Sequence, residues 1–479
     1  MAASIDWLME FWPVLSGFLL VVLELSAASH ALLYKRDSRA AIAWVGIILL
    51  VPLIGAFLYV TLGINRIRRK AQGLRAASPP LAVVLEDVET RAAIDSHLRP
   101  LDRLGERITG IPSVAGNSVE LLRDGDAAFD AMIAAIDGAQ KTVGLTTYIF
   151  DVDAVGVRFV AALSAAHDRG VEVRVLIDAV GARYSRPLPW KVLQKQGVTV
   201  ARFLPTRVPW RLVYANLRSH RKLLLVDSNV AFTGGMNIRE GTAPSVAPRH
   251  PFRDLHSRIC GPVVGQLLGV FIDDWRFAAR EQLSGWAVSP LQLEPCGQVA
   301  ARVVPDGPDE DFEKLRLVLL GAVGAAESSV QIITPYFLPD EGLITALTMA
   351  AMRGVVVDII VPDKNNLRLV QWASWPIITR LVQRGCRVWA SQGTFDHTKL
   401  MVVDGSWTLV GSGNWDPRSL RLNFELNVEC YGTDLGERAG AIIGERLSSS
   451  ERITAQALAS RSLLRRLRDG LARLLTPYL

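Results

Sequence analysis

Two short stretches of the sequence carry the same ionisable residues at the same spacing. The first reads HRKLLLVDSNVAFTGGMN from His220, and the second reads HTKLMVVDGSWTLVGSGN from His397. Both fit the pattern H-x-K-x4-D-x6-G-x-x-N. In an extended strand, side chains alternate between two faces, so the histidine and the lysine of each copy point the same way. Five positions that recur together predict a chemical site built from two matching halves.

The residue types in this pattern suit chemistry on a phosphodiester. The candidates are His220, Lys222, Asp227 and Asn237 in the first copy, and His397, Lys399, Asp404 and Asn414 in the second. Lysine and asparagine side chains would neutralise and hold the nonbridging phosphate oxygens. One neutral histidine would attack phosphorus, and the other, protonated, would donate a proton to the leaving oxygen. No metal is needed, and no cluster of metal ligands suggests one.

Each copy also reads as a hairpin followed by an acidic residue. Asp227 and Asp404 stand where the first strand ends, so we expect them to brace the turns, and the glycines that follow would let the backbone approach a ligand. FRDLHSRIC and FELNVEC align further on, which places Asp254 opposite Glu425. Each acid is therefore expected beside its own hairpin. His256 follows Asp254 by two residues and is a weaker candidate for facing the site.

The elements around the two copies alternate between strands and helices. The first half reads as strand 143–150, helix 157–170 and strand 171–179. The second half repeats this order at 330–338, 343–354 and 355–363. Buried β-branched runs that alternate with helices predict an α/β sandwich built from βαβ units. Tyr148 and Tyr336 occupy matching strand ends, where they either border the cleft or serve as packing residues in the core or at the rim.

The N-terminal region is apolar enough for a membrane. Ala40–Gly63 has 24 residues without a formal charge, which is long enough to cross a bilayer even with Pro52 inside. Phe11–Tyr34 is a second, weaker span, so the two predict a transmembrane hairpin. Basic residues after the second span favour a cytoplasmic catalytic domain, whereas three basic residues in the turn argue the other way. A shallow re-entrant hairpin is the alternative.

Composition agrees with a membrane enzyme that meets an anionic partner. Hydrophobic residues make up 50% of the chain, and the net charge of +6 suits phospholipid headgroups or nucleic acid. The predicted segments are a membrane hairpin at 1–65, a linker that wraps onto the domain at 66–110, repeats at 111–295 and 296–450, and a basic amphipathic helix at 451–479. The four cysteines, Cys260, Cys296, Cys386 and Cys430, are expected as reduced buried thiols.

The doubled pattern, with NLRSHRK, ITPYFLPD and NWDPRSLRLNFE, resembles the bacterial cardiolipin synthases of the phospholipase D superfamily. The resemblance covers nearly the whole chain and implies two pseudo-symmetric repeats that share one active site. It implies a bacterial inner-membrane protein that joins two phosphatidylglycerol molecules through a phosphohistidine, with anionic lipids as partners and without a cofactor. It also implies that His220 is the nucleophile, that His397 is the acid, and that Asp254 and Glu425 hydrogen-bond the second imidazole nitrogen.

Other functions are compatible with the same residues. Water or a different alcohol as acceptor would make the protein a phospholipase or another transphosphatidylase. A membrane-bound nuclease is weaker, because no module for binding nucleic acid is visible. A non-catalytic relative would be suggested by a lost histidine or lysine, and neither copy has lost one. The sequence is also compatible with a homo-oligomer.

Overall fold

The structure is a computed structural model that describes residues 2–35, 38–63, 94–205, 217–246, 251–283, 285–286, 293–309 and 311–476. The chain forms two compact units, Met1–Ala71 and Gln72–Leu479. The predicted transmembrane hairpin lies in the first unit. Both copies of the histidine pattern lie in the second.

The N-terminal unit contains one long helix followed by two short helices that are separated by a break in the chain. The helices are α1 (Ala2–Tyr34), α2 (Ser38–Leu50) and α3 (Ile54–Leu58), and a π-helical turn follows at Tyr59–Gly63. Within the described residues, Phe11–Tyr34 is the helical segment that is long and apolar enough to cross a membrane. The expected continuous span from Ala40 to Gly63 is interrupted, because the chain turns at Pro52 and Leu53 has a left-handed φ of 60°.

After this break the chain returns toward the end of α1. Gly55 lies so close to α2 that a Cβ on it would sit 2.3 Å from the carbonyl oxygen of Ile47. The phenol of Tyr59 lies 2.7 Å from Nδ1 of His30, and the Lys35 ammonium donates to the carbonyl of Gly63 at 2.6 Å. Lys35 and Gly63 therefore lie at the same end of the unit, as in the re-entrant alternative.

In the second unit, the described residues form one fifteen-stranded sheet. Its strands are β1 (Val114–Arg123), β2 (Thr142–Thr147), β3 (Glu172–Asp178), β4 (Thr199–Phe203), β5 (Leu223–Val226), β6 (Val230–Gly234), β7 (Leu255–Cys260), β8 (Val299–Asp306), β9 (Ser329–Ile333), β10 (Val356–Pro362), β11 (Arg387–Ser391), β12 (Leu400–Val403), β13 (Trp407–Gly411), β14 (Glu425–Tyr431) and β15 (Ser450–Ile453).

The α-helices that accompany this sheet complete the domain. They are α4 (Arg99–Thr109), α5 (Asp124–Asp137), α6 (Ala154–Asp168), α7 (Pro189–Lys195), α8 (Val263–Ala279), α9 (Lys314–Ala325), α10 (Glu341–Met352), α11 (Arg368–Gln383), α12 (Pro417–Arg421), α13 (Thr433–Ser448), α14 (Ala455–Ala459) and α15 (Leu463–Leu474).

The sheet is built from two halves with the same strand order. Outward from the centre, one half runs β1-β7-β6-β5-β2-β3-β4 and the other runs β8-β14-β13-β12-β9-β10-β11, with β15 added at that edge. The halves join where β1 pairs antiparallel with β8. In each half, the outer βαβ strands are parallel, and the hairpin with the histidine pattern is antiparallel to them. This arrangement places the two hairpins at equivalent positions on either side of the central pair.

The predicted strands and helices are confirmed, with ends that shift by a few residues. The helix predicted at 157–170 is α6, and the strand predicted at 171–179 is β3. The central strands β1 and β8 were not predicted from the sequence. The segment boundaries proposed above stay a prediction. The described part of the expected linker contains α4. Leu101 of this helix is buried in the core of the second half of the domain.

The expectation of four reduced thiols is wrong in this structure. Cys260 at the end of β7 forms a disulfide with Cys296, with Cα atoms 6.4 Å apart, while Cys386 and Cys430 are free and buried. The bond forms because both cysteines flank β1: β7 pairs with that strand, and the amide of Cys296 donates to the carbonyl of Gly116. Sequence spacing alone does not show that two residues separated by 36 positions meet across a third strand.

Candidate active site

Each histidine–lysine segment runs as extended chain into the buried strand that follows it. These strands, β5 and β12, are fully buried, so the segment before each is held at the edge of the core. The amide of His220 donates to the carbonyl of Phe424 at 2.9 Å, and the amide of His397 donates to the carbonyl of Arg253 at 2.7 Å. Each segment is thus fixed by backbone from the other repeat.

The two acids are exchanged between the repeats. Nδ1 of His220 lies 2.9 Å from Oε2 of Glu425, and Nδ1 of His397 lies 2.8 Å from Oδ2 of Asp254. Asp254 and Glu425 do stand beside their own hairpins, as expected, but the imidazole that each contacts belongs to the opposite half. The backbone exchange described above causes this crossing. With Nδ1 engaged, Nε2 of each ring is the nitrogen left for chemistry.

Both lysines are buried beside their histidines. The Lys222 ammonium donates to the carbonyl of His220 at 2.6 Å, and the Lys399 ammonium lies 2.8 Å from Nδ1 of His397 and contacts the carbonyl of the same residue. The Tyr148 ring contacts both His220 and Lys222, so these two side chains lie on one side of the chain, as predicted.

Burial sets the charge state of this cluster. It lowers the pKa of Lys222 to about 7 and that of Lys399 to about 8, although the acids of the site oppose the shift. Burial and the neighbouring lysines lower the pKa of His220, and they lower the pKa of His397 further. Both imidazoles are therefore neutral at pH 7 in the free protein.

The two acids respond differently to the same burial. Burial raises the pKa of Asp254. For Glu425, burial acts in the same direction, but the hydrogen bonds from His220 and Ser412 and the positive charge of Lys222 outweigh it and lower the pKa. The pair formed by His220 and Glu425 is thus a neutral imidazole held by an ionised carboxylate.

The asparagines of the pattern lie at the same cleft. Oδ1 of Asn237 accepts from the amide of Ile149 at 3.1 Å, and Nδ2 of Asn414 donates to Oγ of Ser419 at 3.2 Å. Both residues line a cavity of about 1160 Å³ together with His220 and His397. The structure therefore brings the histidines and asparagines of both copies to one cavity.

The aspartates of the pattern bind backbone at the hairpin turns. The Asp227 carboxylate accepts from the amides of Gln140, Lys141 and Thr142, at 2.9, 2.7 and 2.9 Å. The Asp404 carboxylate accepts in the same way from Glu327, Ser328 and Ser329. These contacts tie each turn to the start of a neighbouring strand, so the geometry supports a bracing role for both aspartates.

The glycines after the hairpins make room for a protein strand and not for a ligand. A Cβ on Gly235 would sit 2.1 Å from Oδ1 of Asp254, and one on Gly411 would sit 2.4 Å from Oδ1 of Asn427. The expectation that these glycines admit a ligand is therefore corrected. They let β7 and β14 bring the acids close. His256, on β7, is fully buried, with neither ring nitrogen hydrogen-bonded, and it is not part of the cavity wall.

Several cavity residues were missed or left open by the sequence. Tyr148 and Tyr336 line the cavity, with ring centroids 5.3 Å from His220 and 6.1 Å from His397. Asp416 also lines it, although it is buried, and burial raises its pKa to about 7. Two residues after the motif asparagine, the first copy has Arg239 and the second has Asp416. This difference at matching positions was the signal available in the sequence.

Comparisons with known proteins agree with this geometry. The model of the cardiolipin synthase phospholipase D-like domain matches residues 132–244 and 319–444, and a phospholipase D-nuclease N-terminal model matches 25–63. The cardiolipin synthase of Oceanobacillus iheyensis is 30% identical over 98% of this chain and 100% of its own length. Cardiolipin synthase A of Pseudomonas entomophila is 31% identical over 98% and 99%.

A solved structure shows the same fold. Phosphatidylserine synthase of Haemophilus influenzae superposes with a TM-score of 0.62 at 14% identity, over 80% of this chain and 100% of its own. At this identity the likeness concerns the fold alone. Full-length similarity to the curated relatives, together with two matched domain segments, places this chain in the cardiolipin synthase family of the phospholipase D superfamily.

Proposed function

We propose that this protein transfers a phosphatidyl group from one phosphatidylglycerol to another, giving cardiolipin and glycerol. The observation that carries the proposal is the crossed pairing at the cavity, where two histidines, each held by an acid of the other repeat, lie beside two buried lysines. Family membership supplies the substrate class. The proposal needs no nucleic acid partner and no cofactor.

In the first step, Nε2 of His220 attacks the phosphorus of the donor. A P–N bond forms, the P–O bond to the headgroup glycerol breaks, and His397 gives that oxygen a proton. His397 is neutral in the free protein, but the negative charge of a bound phosphodiester raises its pKa and favours the protonated form. The same charge favours the ammonium form of both lysines.

In the second step, a hydroxyl of the second phosphatidylglycerol attacks the phosphohistidine. A P–O bond forms, the P–N bond breaks, and His397 takes the hydroxyl proton, which returns both imidazoles to their starting state. The lysines, Asn237 and Asn414 hold the nonbridging oxygens in both steps. Each step conserves atoms and protons.

The choice of His220 as nucleophile rests on its partner. The lowered pKa of Glu425 keeps a carboxylate on Nδ1–H, and this fixes the tautomer with a lone pair on Nε2. Asp254, beside His397, has a raised pKa and holds its imidazole less firmly as a charged partner. The family resemblance gives the same assignment.

The membrane arrangement follows from the N-terminal unit. We propose that α1 crosses the inner membrane and that α2 and α3 form a re-entrant hairpin. The helix α2 has 13 residues, or about 20 Å, against the roughly 30 Å of a hydrocarbon core. Because Lys35 and Gly63 lie together, the two basic stretches of sequence that follow them would both begin on one side of the membrane, which favours a cytoplasmic catalytic domain.

The test gives purified protein headgroup-labelled phosphatidylglycerol, alongside His220→Ala, His397→Ala and the exposed control His167→Ala. We expect cardiolipin and released glycerol from the intact protein and the control, and a loss of at least a thousandfold in the other two variants. Phosphatidic acid as the main product would mean that water is the acceptor. No turnover would overturn the assignment of an enzyme.

A further inference from the structure

The C-terminal helix α15 turns its apolar face away from the domain on which it packs. The leucines of this helix and of its C-terminal cap are exposed: Leu463 68%, Leu464 78%, Leu467 56%, Leu471 66%, Leu474 72% and, at the cap, Leu475 44%. At about 100° per residue these leucines span an arc of about 120° on the helix. The buried residues of the helix, Asp469 and Ala472, lie on the opposite side.

Polar contacts fix the helix in this orientation. The Asp469 carboxylate accepts from Arg468 at 2.6 Å and pairs with Arg461. The guanidinium of Arg461 stacks over Trp375 at 4.1 Å, and that of Arg468 stacks over Trp372 at 4.5 Å. Both tryptophans belong to α11. Because a buried carboxylate and two cation–π contacts define the inner face, the outward direction of the leucines is built into the domain.

An apolar stripe that faces outward marks an interaction surface, since an ordinary surface helix buries that stripe against its own core. Its border is basic, with Arg465, Arg466 and Arg473 exposed at the flanks. Leucines bordered by arginines suit an anionic bilayer, where the leucines enter the acyl region and the arginines meet phosphate. A second copy of this helix would bring the same positive border and be repelled.

The helix that supports α15 also reaches the candidate site. The helix α11, on which α15 rests, begins at Arg368, and Leu367 and Val370 next to this start line the cavity. Leu367 and Leu369 are 48% and 44% exposed. One helix, α11, therefore contacts α15 through Trp372 and Trp375 and the cavity through its first residues.

We propose that α15 is an interfacial helix that inserts its leucines into an anionic phospholipid surface and holds the second repeat against the membrane. This role is separate from the spanning helix α1. It rests on the exposed face and its charge, and it would stand even if the acceptor in the proposed reaction were different.

The test uses the full-length protein in vesicles, with a fluorophore on Leu471→Cys or on the control Val157→Cys. Val157 is also apolar and 54% exposed, but it lies on α6 of the first repeat. The vesicles contain phosphatidylglycerol or phosphatidylcholine only, with a nitroxide quencher on the acyl chains. We expect several-fold stronger quenching at position 471 than at 157, and a decrease when phosphatidylglycerol is absent or salt is raised.

Equal quenching at the two positions would overturn the proposal. Fluorescence at position 471 that does not respond to the quencher lipid but changes with the protein-to-lipid ratio would also overturn it, because a second copy would then cover the leucines. The variant Leu464→Gln/Leu467→Gln/Leu471→Gln removes only exposed apolar groups. It should raise the apparent KM on vesicles about tenfold and leave kcat on detergent-dispersed lipid unchanged. A loss of kcat on dispersed lipid would indicate a structural role instead.

Discussion

At the scale of single residues, the site combines two lysines with lowered pKa values and two neutral imidazoles. A lysine with a lowered pKa is charged below that pKa and loses its charge as the pH rises through it. For Lys222 and Lys399 these values are about 7 and about 8. Attraction for a phosphodiester is therefore full at mildly acidic pH and fades across the range from 7 to 8, while the histidines stay neutral.

This charge state predicts the pH dependence of the reaction. We expect kcat/KM to fall as the pH rises from 7 to 9, because kcat/KM reports the free protein. In contrast, kcat should fall less, since bound phosphate raises the lysine pKa values. Lys222→Arg should move the descending limb to higher pH. Parallel profiles for kcat and kcat/KM, or an unmoved limb in the variant, would contradict this explanation.

Asp416 offers a second prediction at this scale. Its raised pKa of about 7 means that it becomes a carboxylate above neutral pH, where it repels an anionic lipid in the cavity that it lines. In Asp416→Asn, the amide oxygen of the side chain can still accept a hydrogen bond from the backbone amide of Ser419, so the local turn is retained. We expect KM to decrease about three- to tenfold at pH 8, with little change at pH 6. An equal change at both pH values would point to a purely structural residue.

At the scale of elements, the site is defined by the exchange of acids between the two repeats, in which each histidine contacts an acid of the other half. It depends on glycine at position 235, where a side chain would collide with Asp254, the carboxylate that positions His397. Gly235→Ala would push a Cβ onto the Asp254 carboxylate, and Asp254 holds His397 of the other repeat. Overpacking of this kind costs about 1–3 kcal/mol.

We therefore expect Gly235→Ala to lower kcat about a hundredfold through a histidine on the opposite hairpin. Gly324→Ala, in α9, meets nothing within 4 Å and serves as the matched control. Thermal unfolding of both variants, measured beside kcat, separates misplacement of the acid from general unfolding. Full activity of Gly235→Ala would mean that the position of Asp254 is not critical.

The sequence predicted the repeated hairpins well because their turns and apolar alternation are local. It did not predict β1 and β8, whose pairing at the centre joins distant parts of the chain. The exchange of Asp254 and Glu425 was missed for a similar reason: each acid is close in sequence to one histidine, but it contacts the other across the junction. The disulfide between Cys260 and Cys296 likewise depends on the course of β1.

At the scale of the whole molecule, the membrane arrangement is open to a direct test. With α2 and α3 re-entrant, Ser38 lies on the same side as the catalytic domain, whereas two complete spans would place it on the opposite side. We expect Ser38→Cys and the domain marker Val157→Cys to react with a membrane-impermeant maleimide from the same side of inner-membrane vesicles. Labelling from opposite sides would establish two full spans.

The disulfide gives an independent check on the same question. The structure has Cys260 and Cys296 disulfide-bonded, but a cytoplasmic domain would meet reducing conditions. The proposed orientation therefore predicts that this bond is open in the cell and that both residues are alkylated as thiols when native membranes are rapidly quenched. Cys386 and Cys430 are buried and serve as internal references that react only after unfolding. A fully oxidised pair in native membranes would place the domain in an oxidising compartment.

The exchange of acids between the repeats also determines when the protein can react with the lipids of its own membrane. An enzyme that breaks phosphodiester bonds is surrounded, in a membrane, by phospholipids that contain such bonds. While one repeat is unfolded, or before the two have docked, each histidine lacks the acid that it contacts in the complete domain, and each half supplies only one of the two histidines. Reactivity toward lipid therefore appears only when the whole catalytic domain is complete, so that a nascent or damaged chain does not degrade its surroundings.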